Sequence, residues 1–345
     1  MSTSSWYHDP NTNNSDIISS RVRLARNVKG FPFLRSLTRK ASMELVKKVH
    51  DAAEKFSDRQ FFHKIIPQEL GDTTQLLFLE KHILSPNFLL NPLPRGLLVS
   101  EDTNISVMIN EEDHIRIQVM TPNNKLFQAW DMAAAIDHYL EAHIDFSFDK
   151  ELGYLTACPT NVGTGLRASL MMHLPCLEQD KLIDTLHANL QKYGLTIRGM
   201  YGEGSAPFGS IYQVSNQVTL GKDEATIIES LERISRDISE LEQCSRDDFV
   251  SKRRESLTDR VYRAYAILSN ARLMCVAEAM RHISDIRIGF NTNLLDMPRP
   301  EKPLYQIMME IGPGHLHRTA GKVLSDKDTD IKRANYLRNI FGGNL

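Results

Sequence analysis

The hydrophobic period of the chain changes once, and that change limits the folds open to it. Beyond Gly221, Ile227, Ile228, Leu231, Ile234, Ile238 and Leu241 recur at steps of three and four, the spacing of one helical face. Before it, Ile115, Ile117 and Val119 alternate with Arg116, Gln118 and Met120, the period of a half-buried strand. The stretch 105–120 reads as two strands around an acidic turn, and Leu195 to Arg198 and Ile211 to Val218 as two more. An amphipathic helix over about 40–56 turns Leu45, Val46 and Val49 to one side. These features predict an α/β domain with a largely antiparallel sheet flanked by helices over 15–245, and a helical domain over 246–345. The junction falls in the charge-dense stretch from Ser245 to Glu255. Residues 1–14 are polar and rich in Ser, Thr and Asn, which predicts a loosely held tail with order beginning near Asp16.

At 345 residues the chain is long enough for two cores. Its 41 Lys and Arg nearly cancel its 43 Asp and Glu, so no overall field draws it to nucleic acid or an anionic membrane. Nowhere do about 18 apolar residues run together, and the first residues lack a basic start followed by an apolar core. A cytoplasmic protein without nucleic-acid or membrane partners is expected. The cysteines at 158, 176, 244 and 275 form no C-x-x-C pair, which indicates neither a zinc knuckle nor a disulfide framework.

Three segments carry chemistry. Asn110-Glu111-Glu112-Asp113-His114-Ile115-Arg116 packs three acids into a turn. A carboxylate pair there accepts a planar guanidinium and can take its proton, while the plainer reading is a solvated acidic turn. Ser19-Ser20-Arg21-Val22-Arg23 puts two arginines on one side of an extended segment, suited to a polyphosphate or to a wet sheet edge. With no G-x-x-x-x-G-K-[ST] loop in the chain, arginine forks would have to replace a P-loop's lysine and backbone. Cys158 precedes a Gly/Thr loop and Arg167, and is either a thiol tuned by nearby arginines or a small buried hydrophobe.

Together these segments resemble the phosphagen kinases, the arginine and creatine kinase family, whose signatures N-E-E-D-H-[LI]-R and C-P-T-N-x-G-T stand at 110–116 and 158–164. Gly163 to Ser169, Met172-His173-Leu174-Pro175 and Arg198-Gly199-Met200-Tyr201-Gly202-Glu203-Gly204-Ser205 resemble the bacterial protein arginine kinases of the McsB type. The resemblance covers nearly the whole chain. It implies a phosphagen-kinase-like catalytic domain with a helical C-terminal dimerisation and regulatory domain. The implied activity is ATP-dependent phosphorylation of arginine side chains in proteins, serving stress response and protein quality control. The alternatives are a phosphagen-type kinase acting on a free guanidino compound and a non-catalytic phosphoarginine-binding adaptor.

What the resemblance implies for individual residues is specific. Glu112 is the general base, Glu203 the second carboxylate on the acceptor, and Cys158 a supporting group. ATP, with Mg2+ and no dedicated protein metal site, is held by Ser19, Ser20, Arg21, Val22, Arg23, His82 and Arg116. Arg167, Ala168, Ser169, Leu170, Met171, Arg198, Gly199, Met200, Tyr201 and Gly202 complete that set. Thr329, Asp330 and Arg333 form an allosteric phosphoarginine site, with Thr329 where the family's R-D-x-x-R-A motif begins with Arg. Implied partners are proteins bearing exposed arginine, an activator protein, a Clp-type protease and a second copy of the chain. Two departures from small-molecule kinases favour a protein acceptor. The Ser-Ser-Arg-Val-Arg run begins at residue 19, leaving no room for a helical substrate domain before it, and Tyr201 replaces a phosphate-binding arginine.

Overall fold

A computed structural model describes residues 5–54, 63–199 and 208–342. The first half alternates strands and helices. It contains β1 (Ile17–Arg26), α1 (Arg39–Glu54), β2 (His63–Ile65), α2 (Asp72–Glu80) and α3 (Pro86–Leu90). Next come β3 (Gly96–Val99), β4 (Ile105–Ile109), β5 (Ile115–Pro122), α4 (Leu126–Glu141) and a small hairpin, β6 (Phe148–Asp149) with β7 (Gly153–Tyr154). After β8 (Leu166–His173) follow α5 (Pro175–Gln179), α6 (Ile183–Gln191), β9 (Leu195–Gly199) and β10 (Ile211–Asn216). From there the described chain is helical: α7 (Glu224–Lys252), α8 (Arg254–Asn270), α9 (Val276–Asn291), α10 (Leu304–Glu310), α11 (Pro313–Ala320) and α12 (Asp326–Phe341).

Eight strands form one sheet in the order β2-β3-β4-β5-β1-β8-β10-β9. The pairs β2 with β3, β3 with β4, β4 with β5 and β1 with β5 are all antiparallel. The largely antiparallel sheet read from the alternation is therefore present, and β1 lies inside it, which removes the wet-edge reading of its arginines. Strand alternation sends Val22 and Leu24 of β1, both fully buried, to the side opposite Arg21 and Arg23.

The chain forms two compact units, one comprising Met1–Trp6, Ser19–Leu170 and Ser215–Glu232, the other Tyr7–Ile18, Met171–Val214 and Arg233–Leu345. In the first, α1 packs on β3 and β4, and α4 on β5. Leu45 and Val49 of α1 are buried as its periodicity requires. A second cluster gathers Ile83, Phe88, Leu97 and Met108 beneath α3. In the other unit α6 lies on β9, and α8, α9, α10 and α12 pack through buried Val261, Ile283, Ile286 and Leu337.

Two expectations need correction. The polar N-terminal segment is pinned from Ser5 onward. In the first unit Trp6 is 2% exposed and its amide donates to Asn104 Oδ1 at 2.7 Å. In the second unit Arg287 Nη2 donates to Thr12 O and Ser15 O, each at 2.6 Å, and Arg246 pairs with Asp16. Polar composition hid this because the anchors are backbone carbonyls and two aromatic side chains, not an apolar run. Leu241, expected on the buried face of α7, is 51% exposed. Past Ile238 the inward stripe shifts by one residue to Glu242 and Arg246, whose partners lie on the N-terminal segment and α5. The helix α7 runs unbroken across position 245, where the sequence places a boundary.

Candidate active site

Three neighbouring strands of the first unit build a cationic face. On β1, Ser19, Arg21 and Arg23 share one side, and the register sets Arg23 opposite Gln118 and Ala25 opposite Arg116 of β5. On the other flank β8 supplies Arg167 and Ser169, and Arg21 Nε donates to Ser169 Oγ at 3.4 Å. Burial holds the Arg23 guanidinium well below its usual pKa, and Arg21, Arg116 and Arg167 add to the effect, with Glu111 opposing. Arg23 Nε has no hydrogen-bond partner among the described residues. Four guanidiniums crowded against one carboxylate favour a polyanion in their midst. His82 lies close to them and is kept neutral. Burial, followed by the charges of Arg21 and Arg23, pushes its pKa down to about 3.

Of the remaining residues expected at the nucleotide, five lie on or behind that face. Val22, Ala168 and Leu170 are fully buried on the opposite side of their strands. Ser20 Oγ donates to Asn123 O at 2.7 Å and accepts from Lys125 N at 3.0 Å, fixing the chain after β5. Ser19 is buried on the arginine side, and its hydroxyl has no partner among the described residues. In the second unit, Met171 is buried and Arg198 lies half-buried on β9, which ends at Gly199. Met200, Tyr201, Gly202 and Glu203 lie outside the described residues.

The acidic turn between β4 and β5 is not solvated: Glu111 and Asp113 are 3% and 2% exposed. Its three carboxylates have separate surroundings. Glu111 pairs with Arg116 at 2.6 Å, accepts from Ser85 Oγ at 2.5 Å and accepts from the Glu112 amide at 2.8 Å. Burial acts to raise its pKa, but these three contacts outweigh it and hold Glu111 below the ordinary carboxylate value. Asp113 accepts from Asn27 Nδ2 and from Ala157 N, both at 2.6 Å. Glu112 is half-buried, and its carboxylate has no hydrogen bond or ion pair among the described residues. Burial first, then Glu111 and Asp113, raise its pKa, while Arg116 and Arg167 pull the other way. Such a carboxylate is poised to accept a proton.

The Asp113 contact also places the cysteine. By holding the Ala157 amide it sets Cys158 beside the turn that carries Glu112. Cys158 is half-buried, caps a short 3-10 turn over Pro159–Asn161, and has its Sγ 3.1 Å from Thr160 Oγ1. Two glycines let the following loop lie flat. Gly163 has φ +111°, and a Cβ there would come within 2.5 Å of Thr219 O. Gly165 has φ +64°, and a Cβ there would meet Arg26 Nη1 at 2.5 Å. Arg26 is 1% exposed, pairs with Asp137 at 2.6 Å, and lies 3.5 Å over the Tyr154 ring.

In the second unit, Thr329, Asp330 and Arg333 share the start of α12. Arg333 is buried, at 3% exposure. Its Nε donates to Ile311 O and its Nη1 to Met274 O, both at 2.8 Å, and it pairs with Asp330. Sequence reasoning missed the staples Asn27, Ser85, Arg26 and Asp137. Each meets its partner across tens of residues, and a single polar side chain carries no period that would announce such a contact.

An arginine-lined sheet face beside an unpaired carboxylate suits phosphoryl transfer to a nitrogen acceptor. Residues 44–245 match the model of the ATP:guanido phosphotransferase C-terminal catalytic domain, and the chain belongs to that family. Residues 254–344 match the protein-arginine kinase McsB C-terminal domain. The chain is 39% identical over 339 residues to the protein-arginine kinase of Symbiobacterium thermophilum, covering 97% of this chain and 96% of the relative. It is 40% identical over 324 residues to the protein-arginine kinase of Caldanaerobacter subterraneus subsp. tengcongensis, covering 93% and 95%. Among solved structures it resembles the substrate-free duplicated taurocyamine kinase from Schistosoma mansoni, with TM-score 0.59 and 30% identity over 68% of this chain and 34% of that one. Lombricine kinase, with TM-score 0.60 and 24% identity over 66% of each chain, shares the fold.

Proposed function

We propose that the chain transfers the γ-phosphoryl group of ATP to the guanidinium of arginine side chains in proteins. The observation that carries the reading is the pairing of Glu111 with Arg116, which leaves the neighbouring Glu112 carboxylate beside the arginine face with no ion pair among the described residues. Arg21, Arg23, Arg116 and Arg167 hold the phosphates and neutralise charge as it spreads over the transferring group. Magnesium, brought with the nucleotide, would add to that charge neutralisation. Arginine's pKa lies above about 12, so its proton leaves in concert with attack. Glu112 takes that proton as the nitrogen–phosphorus bond forms, the bond from phosphorus to the bridging oxygen breaks, and ADP departs. Glu203 is proposed to fix the acceptor's plane and Cys158 to tune its orientation.

Incubating the protein with ATP, magnesium and a mixed proteome should yield acid-labile phosphate on arginine by mass spectrometry. Turnover of free arginine or creatine with no labelled protein would instead make it a phosphagen-type kinase, and binding of phosphoarginine without transfer would make it an adaptor. The domain division at 245, a role in stress response with an activator protein and a Clp-type protease, and a cytoplasmic location belong to the same proposal. No described helix is long and apolar enough to cross a membrane. Dimerisation through 246–345 is tested by light scattering at micromolar concentration, where a monomer sinks it.

A further inference from the structure

The first unit holds a second concave site that the arginine face does not use. It is a groove of about 550 Å³ between α1, the segment beginning at β2 and the Pro94-Arg95 stretch. One wall is apolar and open, with Met43 59% exposed and Ile66 45% exposed beside Val46. Its floor is fixed. Ser42 Oγ donates to Pro94 O at 2.7 Å, and Asn110 Nδ2 donates to the same carbonyl at 3.0 Å and to Ser42 Oγ at 2.9 Å.

The groove's charges do not balance. Arg95 lines it at 8% exposure, donates from Nη1 to Phe88 O, and has no partner for Nε among the described residues. No carboxylate among the described residues pairs with it, and burial lowers its pKa. A buried guanidinium is ordinarily compensated by an acid, and its absence leaves a desolvated cation waiting for one. Arg39 and Lys47, both exposed at the same groove, have no ion pair among the described residues either. Of the two acids among the groove's described residues, Glu54 is occupied by Lys64, leaving Asp51 against three cations.

We propose that this groove binds an acidic peptide segment, seating an apolar side chain between Met43, Val46 and Ile66 and a flanking carboxylate on Arg95, Arg39 and Lys47. A free inorganic anion would satisfy the cations but leave the apolar wall wet, whereas a peptide with alternating leucine and acidic residues satisfies both. The groove is held by hydrogen bonds already made, so little ordering accompanies binding.

The test titrates full-length protein into a fluorescein-labelled Leu-Glu-Leu-Asp-Leu-Glu peptide at low salt and follows anisotropy. Saturable binding is expected. It should weaken at least tenfold in an Arg39→Glu/Lys47→Glu double variant whose circular dichroism matches the parent, and equally with a Ser-Glu-Ser-Asp-Ser-Glu peptide. Hydrogen exchange should show protection gained in α1. No binding, binding unchanged in the double variant, or protection elsewhere overturns the proposal. Displacement by millimolar phosphate with no dependence on the leucines reduces the groove to a small-anion site and overturns the peptide reading.

Discussion

Glu111 and Arg116 form a 2.6 Å ion pair across the acidic turn, with the Glu111 side chain 1% exposed. That pair separates neighbouring carboxylates into different tasks. Under the proposed mechanism, Glu111 orients an arginine of the phosphate-binding face and Glu112 keeps its carboxylate for the acceptor. Glu112→Gln should therefore keep ATP affinity and lose about 10²- to 10⁴-fold in kcat, the usual worth of a positioned base. Glu111→Gln should weaken ATP binding as well, because Arg116 loses its anchor. Labelled transfer to a casein-like protein with ATP titrated separates the two, and equal effects of both variants on kcat alone would contradict the division.

The same surroundings set a pH dependence. Burial and the charges of Glu111 and Asp113 raise the Glu112 pKa, so the ionised base is lost at a higher pH than an ordinary carboxylate. Activity should fall as pH drops through that raised value, and Glu112→Gln should abolish this acidic limb. For stability the sign reverses. A carboxyl whose folded pKa is raised stabilises the fold fully below its unfolded value, about 4.3, and loses that contribution as pH rises through the folded pKa. Glu112→Gln should therefore melt higher than wild type at pH 7, with no gain at pH 4. An identical difference at both pH values would overturn the assignment.

Glu242 gives a second, purely structural test. Its carboxylate is fully buried and accepts from Cys176 N and Leu177 N at 3.0 Å each, closing the start of α5. Burial outweighs these bonds and the nearby Arg246, pushing its pKa up to about 7. Its contribution to stability is thus complete below about pH 4.3 and is lost as pH rises through about 7. Thermal melts should decline between pH 5 and 8 in the wild type and flatten in Glu242→Gln.

Much of this was legible in the sequence, and the rest was not for definable reasons. Period-two alternation located Arg21 and Arg23 on one face because strand geometry leaves no other arrangement. Helical spacing placed Leu45, Val49 and Ile227 through Ile238 correctly. Pairings made by single polar side chains over long separations left no such trace. Asp113 reaches Ala157 across 44 residues, and Asn27 reaches Asp113 across 86. Two residues of one motif, Glu111 and Glu112, look alike as letters and differ only through Ser85 and Arg116, which the fold brings to one of them. The segment around Glu203 lies outside the described residues, and its role rests on resemblance.

Arg26 and Asp137 make a buried ion pair beside the cysteine loop. Arg26 also donates from Nη1 to Thr164 O at 3.0 Å, and its Nη1 packs where a side chain at Gly165 would stand. Removing one partner leaves an uncompensated buried charge, so Asp137→Ala should cost about 3–5 kcal/mol in urea unfolding. Replacing both, as Arg26→Met with Asp137→Leu, should recover most of that stability while activity stays low because the loop has lost its brace. If the double variant is as unstable as the single, packing around Tyr154 and not charge compensation holds this region.

Cys158 separates from the other thiols by environment. Cys176 is buried, and burial with the adjacent Glu242 carboxylate pushes its thiol pKa well up, which makes it inert. Alkylation that inhibits should therefore map to Cys158, with ATP protecting, although Cys244 and Cys275 are exposed and will also react. Cys158→Ser should lower turnover without a measurable change in melting temperature. Full activity after complete modification of Cys158 would leave it a packing residue.

The phosphoarginine site proposed on α12 has an internal competitor. An Asp can grip the guanidinium of phosphoarginine while an Arg holds its phosphate. Arg333, however, already gives Nε to Ile311 O and Nη1 to Met274 O and Asp330. Thr329 is 5% exposed and bonded through Oγ1 to Ser325 O at 2.8 Å and to His317 Nε2 at 3.2 Å. The wild type should accordingly respond feebly to free phosphoarginine. Thr329→Arg places a second guanidinium one helical turn from Arg333, on the same face. A single charge-assisted contact is worth enough to tighten binding by about tenfold. The variant should also melt lower, since a buried threonine that satisfied two partners has gone. Calorimetry that detects no binding to either protein would show that Arg333 is committed to the Ile311 and Met274 carbonyls and that α12 carries no sensor.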